Sequence, residues 1–335
     1  MKCINKTRAV ILGVITATGV LLSGCSEEPQ TLITEYEQAN YNANLYEGSL
    51  YAEELCVAQN DLSLEGYAED SSVHSAALFD VSGEKVLYSF LSHEKIYPAS
   101  VTKIMTALIA LEYGNLDDAV TISASAAASA FPADAQLCGL QEGEIWTLRD
   151  LVNAMLLYSG NDAAVAIAEH IAGSEEKFVG MMNRRARELM ANNTHFVNSN
   201  GLHDENHYTT AYDLYLIFNE CIKNDEFVNI IQNEAYTAVY TGTDGSVKET
   251  VFKPTNLYAK GEAEKPQNVT IIGGKTGTTE EAGYCLLLLE KDSHDNSYIS
   301  IVMGASDKPA LYADMTSLIQ AIPDPSSADA EQSVN

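Results

Sequence analysis

Behind Lys2, Lys6 and Arg8 the chain begins with 14 largely apolar residues, Ala9 to Leu22. A membrane-spanning helix needs about 20, so the pattern is that of a secretory signal, removed with residues 1–24. From Ser26 the texture turns polar, acidic and Tyr-rich, with no period up to residue 50, and a tether and lead-in are expected over 25–70. Two apolar runs follow, Ser75–Asp80 and Lys85–Phe90, on either side of the turn-like Val81-Ser82-Gly83-Glu84, and predict a hairpin.

Helical spacing then takes over. Val101, Ile104, Met105, Leu108 and Leu111 share one face of a helix predicted to open at Ser100 and to be capped by Gly114. Residues 150–172 read as two apolar helical pieces broken at Ser159-Gly160-Asn161, and 175–192 as a helix carrying Arg184, Arg185 and Arg187. Thr210-Ala211-Tyr212-Asp213 has the capping-box form that starts another. The last third returns to strands at Val269–Gly274, Gly283–Glu290 and Tyr298–Gly304, with a turn at 293–296. A closing helix over Ala310–Ile322 and a disordered tail over 322–335 end the chain. Strands, then helices, then antiparallel strands that complete the same sheet predict an α/β sandwich. It has one mainly antiparallel sheet, helices on both faces and a helical insert, within a domain at 71–321.

Composition narrows the partners more than the fold. The 335 residues are 46% hydrophobic, enough to bury a large core. Lys and Arg total 19 against 47 Asp and Glu, a formal charge of -28, which argues against nucleic acid or an anionic membrane surface as a partner. No Rossmann or P-loop fingerprint is present and no cofactor is expected. Leu22-Ser23-Gly24-Cys25 ends the apolar run and resembles the lipobox of bacterial lipoproteins, in which the Cys thiol receives diacylglycerol before cleavage. Cys25 is then the lipidated N-terminus of an extracytoplasmic, membrane-anchored protein; the alternative is an ordinary secretory signal with an incidental Cys. Cys56, Cys138, Cys221 and Cys285 remain, in no metal-site spacing. They allow three disulfide pairings, and free buried thiols are the expectation, above all for Cys285 inside a strand-like run.

Three short patterns carry chemistry: Ser100-Val101-Thr102-Lys103, Ser159-Gly160-Asn161 and Lys275-Thr276-Gly277. This trio resembles the motif set of class A β-lactamases and penicillin-binding proteins. Ser-x-x-Lys alone discriminates nothing, since Ser82–Lys85, Ser92–Lys95 and Ser174–Lys177 also satisfy it. Ser100 is singled out because it alone is expected to open a helix, where a three-residue step puts Ser and Lys on one face. A serine hydroxyl needs a base within hydrogen-bond reach. Lys103 can serve if burial and a second cation, Lys275, depress its pKa. Oxyanion donors are expected from the backbone N–H groups of Ser100 and Thr278, and Gly274 and Gly277 from close approach of backbone or substrate.

From about Val73 to Ser306 the chain resembles the D-alanyl-D-alanine carboxypeptidases of the low-molecular-mass penicillin-binding proteins. The resemblance rests on Tyr97-Pro98-Ala99-Ser100-Val101-Thr102-Lys103-Ile104-Met105-Thr106, Tyr158-Ser159-Gly160-Asn161-Asp162-Ala163-Ala164, Asn200-Gly201-Leu202 with His207-Tyr208-Thr209-Thr210-Ala211, and Gly274-Lys275-Thr276-Gly277-Thr278 with Ala282-Gly283-Tyr284-Cys285. It implies a β-lactamase/transpeptidase-like fold, Ser100 as acyl-enzyme nucleophile, Lys103 as its base and Ser159 as proton relay to the departing D-alanine. It further implies Asn161 on Lys103 and the substrate backbone, and Lys275 and Thr276 on the terminal carboxylate, with Gly277 and Thr278 beside them. The implied partners are peptidoglycan stem peptides ending in D-alanyl-D-alanine and, as inhibitors, β-lactams. Many members carry a C-terminal β-rich domain and an amphipathic anchoring helix, for which about 30 residues after Ser306 leave no room.

Two rival readings share the fold. A class A β-lactamase needs a Glu-x-x-Leu-Asn to activate the deacylating water, and none follows the middle motif, Glu188 being placed on a surface helix. A non-catalytic penicillin-binding sensor would not need the complete motif set. His203 and His207 have metal-like spacing but no evident third ligand, so no metal site is expected. The Arg184, Arg185 and Arg187 cluster reads as a solvated helix face.

Overall fold

The computed structural model describes residues 54–67 and 72–323. The signal segment, Cys25, the tether up to residue 53 and the tail beyond 323 lie outside the described residues. Among the described residues, no helix is long and apolar enough to cross a membrane.

The main sheet has five antiparallel strands in the order β2-β1-β9-β8-β7. The hairpin expected at the start is β1 (Ser75–Asp80) and β2 (Lys85–Phe90), and the last third supplies β7 (Thr270–Thr279), β8 (Gly283–Lys291) and β9 (Ser297–Ala305). Strands from opposite ends of the chain thus meet, β1 pairing β9 from Ser75–Met303 to Asp80–Tyr298. Both faces of the sheet are covered, which is why β8 reads Cys285-Leu286-Leu287-Leu288-Leu289 with no polar alternation. Leu287, Leu289, Ile299 and Ile301 face the helical block, while Leu286, Leu288 and Val302 pack on Leu311, Met315 and Leu318 of the closing helix, Lys308–Gln320.

The helical block comprises α1 (Lys103–Tyr113), α2 (Leu148–Asn153), α3 (Asn161–Ala172), α4 (Glu175–Glu188), α5 (Ala211–Cys221) and α6 (Asp225–Ile231); a short α7 (Leu257–Lys260) and α8 (Lys308–Gln320) complete the α-helices among the described residues. The cap at Thr210 is as expected, its Oγ1 accepting the Asp213 N–H at 3.0 Å. Helix α4 stops at Glu188 rather than 192, because Met190 turns into the left-handed region at φ 64°. The sequence reading also lacked a second sheet, β3-β4-β5-β6, built from β3 (Ala119–Thr121), β4 (Ile145–Thr147), β5 (Tyr236–Thr241) and β6 (Val247–Phe252). Two of those strands are three residues long, too short to show a period.

Residues 54–67, expected as lead-in, pack on the domain. Cys56 is fully buried; its N–H donates to Tyr215 Oη at 2.8 Å and its carbonyl accepts from Tyr212 Oη at 3.0 Å. Cys56, Cys221 and Cys285 are buried free thiols and Cys138 is a half-buried one. The Arg cluster needs correction. Arg184 and Arg187 are exposed, but Arg185 is only 20% exposed and ties α4 to Glu112 of α1 (2.7 Å) and Glu220 of α5 (2.8 Å).

Candidate active site

Ser100 does not open an α-helix. It lies in a 3₁₀ turn, Ala99–Thr102, that runs into α1, entered through Ala99 at φ 48°. Ser174 is the Ser-x-x-Lys serine that caps an α-helix, and its Oγ is spent on the Lys177 N–H. What distinguishes Ser100 is the tighter turn, in which side chains three residues apart eclipse. Lys103 Nζ consequently lies 2.8 Å from Ser100 Oγ. It also lies 2.7 Å from Asn161 Oδ1 and 2.5 Å from the Asn200 carbonyl oxygen.

Those two oxygens can only accept. A neutral Lys103 amine gives them its two N–H groups and turns its lone pair to the Ser100 hydroxyl. The environment favours that form: burial first, and then the charge of Lys275, push the Lys103 amine well below the ordinary lysine value. Lys275 itself is lowered to about 7 by burial.

Ser159 ends a π-helical stretch, Ala154–Tyr158, and sits in the left-handed region at φ 70°. Such features cost of order 1–3 kcal/mol and cluster at functional sites. The Lys275 ammonium donates to Ser159 Oγ and to the Thr276 carbonyl, both at 2.9 Å. At 1% exposure Lys275 stands behind Ser159 and does not line the cleft. Ser100, Ser159, Asn161, Thr276, Gly277 and Thr278 line one cavity of about 580 Å³. The two glycines meet protein backbone: a Cβ on Gly274 would lie 1.9 Å from the Leu287 carbonyl oxygen, and one on Gly277 2.9 Å from that of Pro98. Gly277 therefore lets edge strand β7 close on the nucleophile turn.

Sequence reasoning missed three supports. The Asn200 carbonyl on Lys103 was hidden because it is backbone, although Asn200-Gly201-Leu202 stood out as a pattern. Asp162, fully buried, accepts the N–H groups of Cys138 (2.8 Å), Gly139 (2.8 Å), Leu140 (3.1 Å) and Ala163 (2.9 Å), tying the 138–140 segment to the start of α3 beside Asn161. His207 is buried against the nucleophile turn, bonded to Thr102 at 2.8 Å, while His203 packs on Tyr97 edge to face at 4.7 Å. No three metal-ligating side chains gather among the described residues.

A serine and a buried lysine amine set in this way, at the seam between an antiparallel sheet and a helical block, place the chain in the class of β-lactamase/transpeptidase-like proteins. The family model described as D-alanyl-D-alanine carboxypeptidase matches residues 64–307, and the chain belongs to that family. It is 36% identical over 251 residues to the D-alanyl-D-alanine carboxypeptidase DacF of Bacillus subtilis strain 168, covering 73% of this chain and 60% of that protein. Among solved structures, the Streptomyces K15 DD-transpeptidase superposes with a TM-score of 0.69 at 28% identity, covering 76% of this chain and 97% of that one. Penicillin binding protein 5 from Haemophilus influenzae gives 0.66 at 30% identity, covering 76% and 71%. The chain spans about three fifths of the length of the first curated relatives it matches, 60% and 61%.

Proposed function

We propose that this chain is a serine D,D-carboxypeptidase that removes the terminal D-alanine from peptidoglycan stem peptides. The observation that carries the reading is the Lys103 amine, buried and 2.8 Å from Ser100 Oγ, with two further oxygens to take its N–H groups. Ser100 Oγ attacks the carbonyl of the penultimate D-alanine as Lys103 takes its proton. The oxyanion is received by the N–H groups of Ser100 and Thr278. Ser159, held by Lys275, gives its proton to the departing amine and is reprotonated by the one Lys103 took from Ser100, so the C–N bond breaks, D-alanine leaves as the amine and the acyl group stays on Ser100. Asn161 holds the substrate backbone. Thr276 and Thr278, on the free edge of β7, receive the terminal carboxylate with the positive charge of Lys275 behind them. Water then hydrolyses the ester. β-Lactams acylate the same serine. Lipidation of Cys25 holds the enzyme at the outer face of the membrane, close to this substrate.

A second outcome is transfer of the acyl group to an amine, favoured by the likeness to a protein named DD-transpeptidase. The test is incubation with a pentapeptide ending in D-alanyl-D-alanine, with and without an added acceptor amine. Free D-alanine and the tetrapeptide are expected, and neither with Ser100→Ala. Release of D-alanine only with formation of an amine adduct would make it a transpeptidase, and release that survives Ser100→Ala would remove Ser100 from the mechanism.

A further inference from the structure

The segment 195–209 supplies the Asn200 carbonyl to Lys103, and something must hold that segment to the nucleophile turn. Ser199 gives its carbonyl to Thr106 Oγ1 of α1 at 2.6 Å. Thr209 forms a backbone bridge with Ile96, its N–H and carbonyl both bonded at 2.9 Å, and a side-chain tie to the turn itself comes from His207, 2% exposed and outside the cleft lining. The Val197 N–H donates to His207 Nδ1 at 3.3 Å, so that nitrogen carries no proton. The tautomer is thereby set: Nε2 bears the hydrogen and donates it to Thr102 Oγ1 at 2.8 Å. Thr102 is fully buried and sits between Ser100 and Lys103. The Phe196 ring packs edge to face on the imidazole at 5.6 Å.

We infer that His207 is a positioning residue for acylation: through Thr102 it clamps the Ser100–Lys103 turn to the 195–202 segment, so that the Asn200 carbonyl holds one N–H of Lys103 and the amine lone pair stays on Ser100. The inference rests on the reading of Lys103 as the base. The clamp works with a neutral imidazole, because a proton on Nδ1 would set two donors, the ring and the Val197 N–H, against each other. Burial above all disfavours that proton, against the carboxylate of Asp204, which favours it. His207 touches no substrate, so its loss acts on rate and on the pH profile and leaves affinity alone.

The experiment measures acylation by benzylpenicillin against pH in the full chain, per folded molecule, for wild type, His207→Phe, His207→Gln, Thr102→Val, Thr102→Ser and the His207→Phe/Thr102→Val double variant. Phe keeps the ring packing and Val keeps the shape of Thr102, while each removes the bond. Both are expected to slow acylation about 10- to 100-fold, as a small misplacement of a reacting group does. Both also move the acid limb of the profile upward, because a loosened Lys103 is better solvated and regains basicity. The double variant is no slower than the slower single one, since both lose the same contact. Thr102→Ser restores the hydroxyl, and His207→Gln keeps a donor near Nε2, so both return toward wild type. Singles whose losses multiply in the double variant, or an acid limb that stays at the wild-type pH in Thr102→Val, would overturn the clamp. A wild type that is not acylated at all would instead overturn the base assignment beneath it.

Discussion

Lys103 holds a buried amine that stability alone would not select. Taking its charge out of water is costly, and burial beside Lys275 shows that cost as a pKa well below the ordinary lysine value, which the proposed role as base requires. Lys103→Ala is expected to lower acylation by about 10²- to 10⁴-fold, the usual contribution of a general base, while the fold persists. In the wild type, acylation should fall as pH drops through the depressed Lys103 pKa, because the protonated amine has no lone pair to give. An acylation rate unchanged in Lys103→Ala would contradict both statements. His207 adds a stability signature of its own. Its pKa is lowered to about 4 from an ordinary 6.5, so between those values the unfolded chain binds more protons than the folded one. That contribution is present above about pH 6.5 and lost as pH falls toward 4, on the order of 3 kcal/mol. Denaturant titrations of wild type and His207→Phe should therefore converge as pH falls, and parallel curves would count against a neutral folded-state histidine.

At the level of elements, the site is three segments brought together by close backbone contacts, and one glycine makes the closest. Gly201 has φ 89°, and a Cβ there would lie 1.8 Å from the Ala99 carbonyl oxygen. Gly201→Ala should destabilise the protein and separate the 195–202 segment from the nucleophile turn, with acylation falling more steeply than stability. Gly180, exposed in α4 with open space where a Cβ would stand, is the control. Gly180→Ala should stabilise by about 0.5–1 kcal/mol with acylation unchanged. Thermal melts and penicillin labelling of the two variants separate these effects. The sequence made the three motifs legible because each needs particular side chains at fixed spacing. It misjudged the element under the first motif, since a 3₁₀ turn and the first turn of an α-helix place apolar residues alike. Asn200 and Asp162 stayed hidden for a different reason: one acts through its carbonyl, the other on backbone N–H groups 22 to 24 residues away.

Over the whole molecule, strands from both ends of the domain share one sheet, with a helical block on one face and α8 on the other. That much followed from the order of apolar runs, because β8 and β9 are buried on both sides and read as unbroken hydrophobic stretches. The second sheet did not, although β5 and β6 flank a Thr243-Asp244-Gly245 turn that signals a hairpin. The anchoring proposal belongs to this scale. Radiolabelled palmitate should enter the wild type and not Cys25→Ala, which should be lost from the membrane fraction; no label in the wild type would end the proposal.

The central claim is that Ser100 is the acylated residue and that its penicilloyl ester persists for want of a β-lactamase-type base, for Glu188 lies half-exposed on α4, away from the cleft lining. Intact-mass spectrometry after one equivalent of benzylpenicillin tests it most directly. A single penicilloyl adduct, mapped to the Ser100 peptide and outlasting many D-alanine turnovers, is the expected result. An adduct on another serine, or rapid return of unmodified protein with hydrolysed penicillin accumulating, would contradict it.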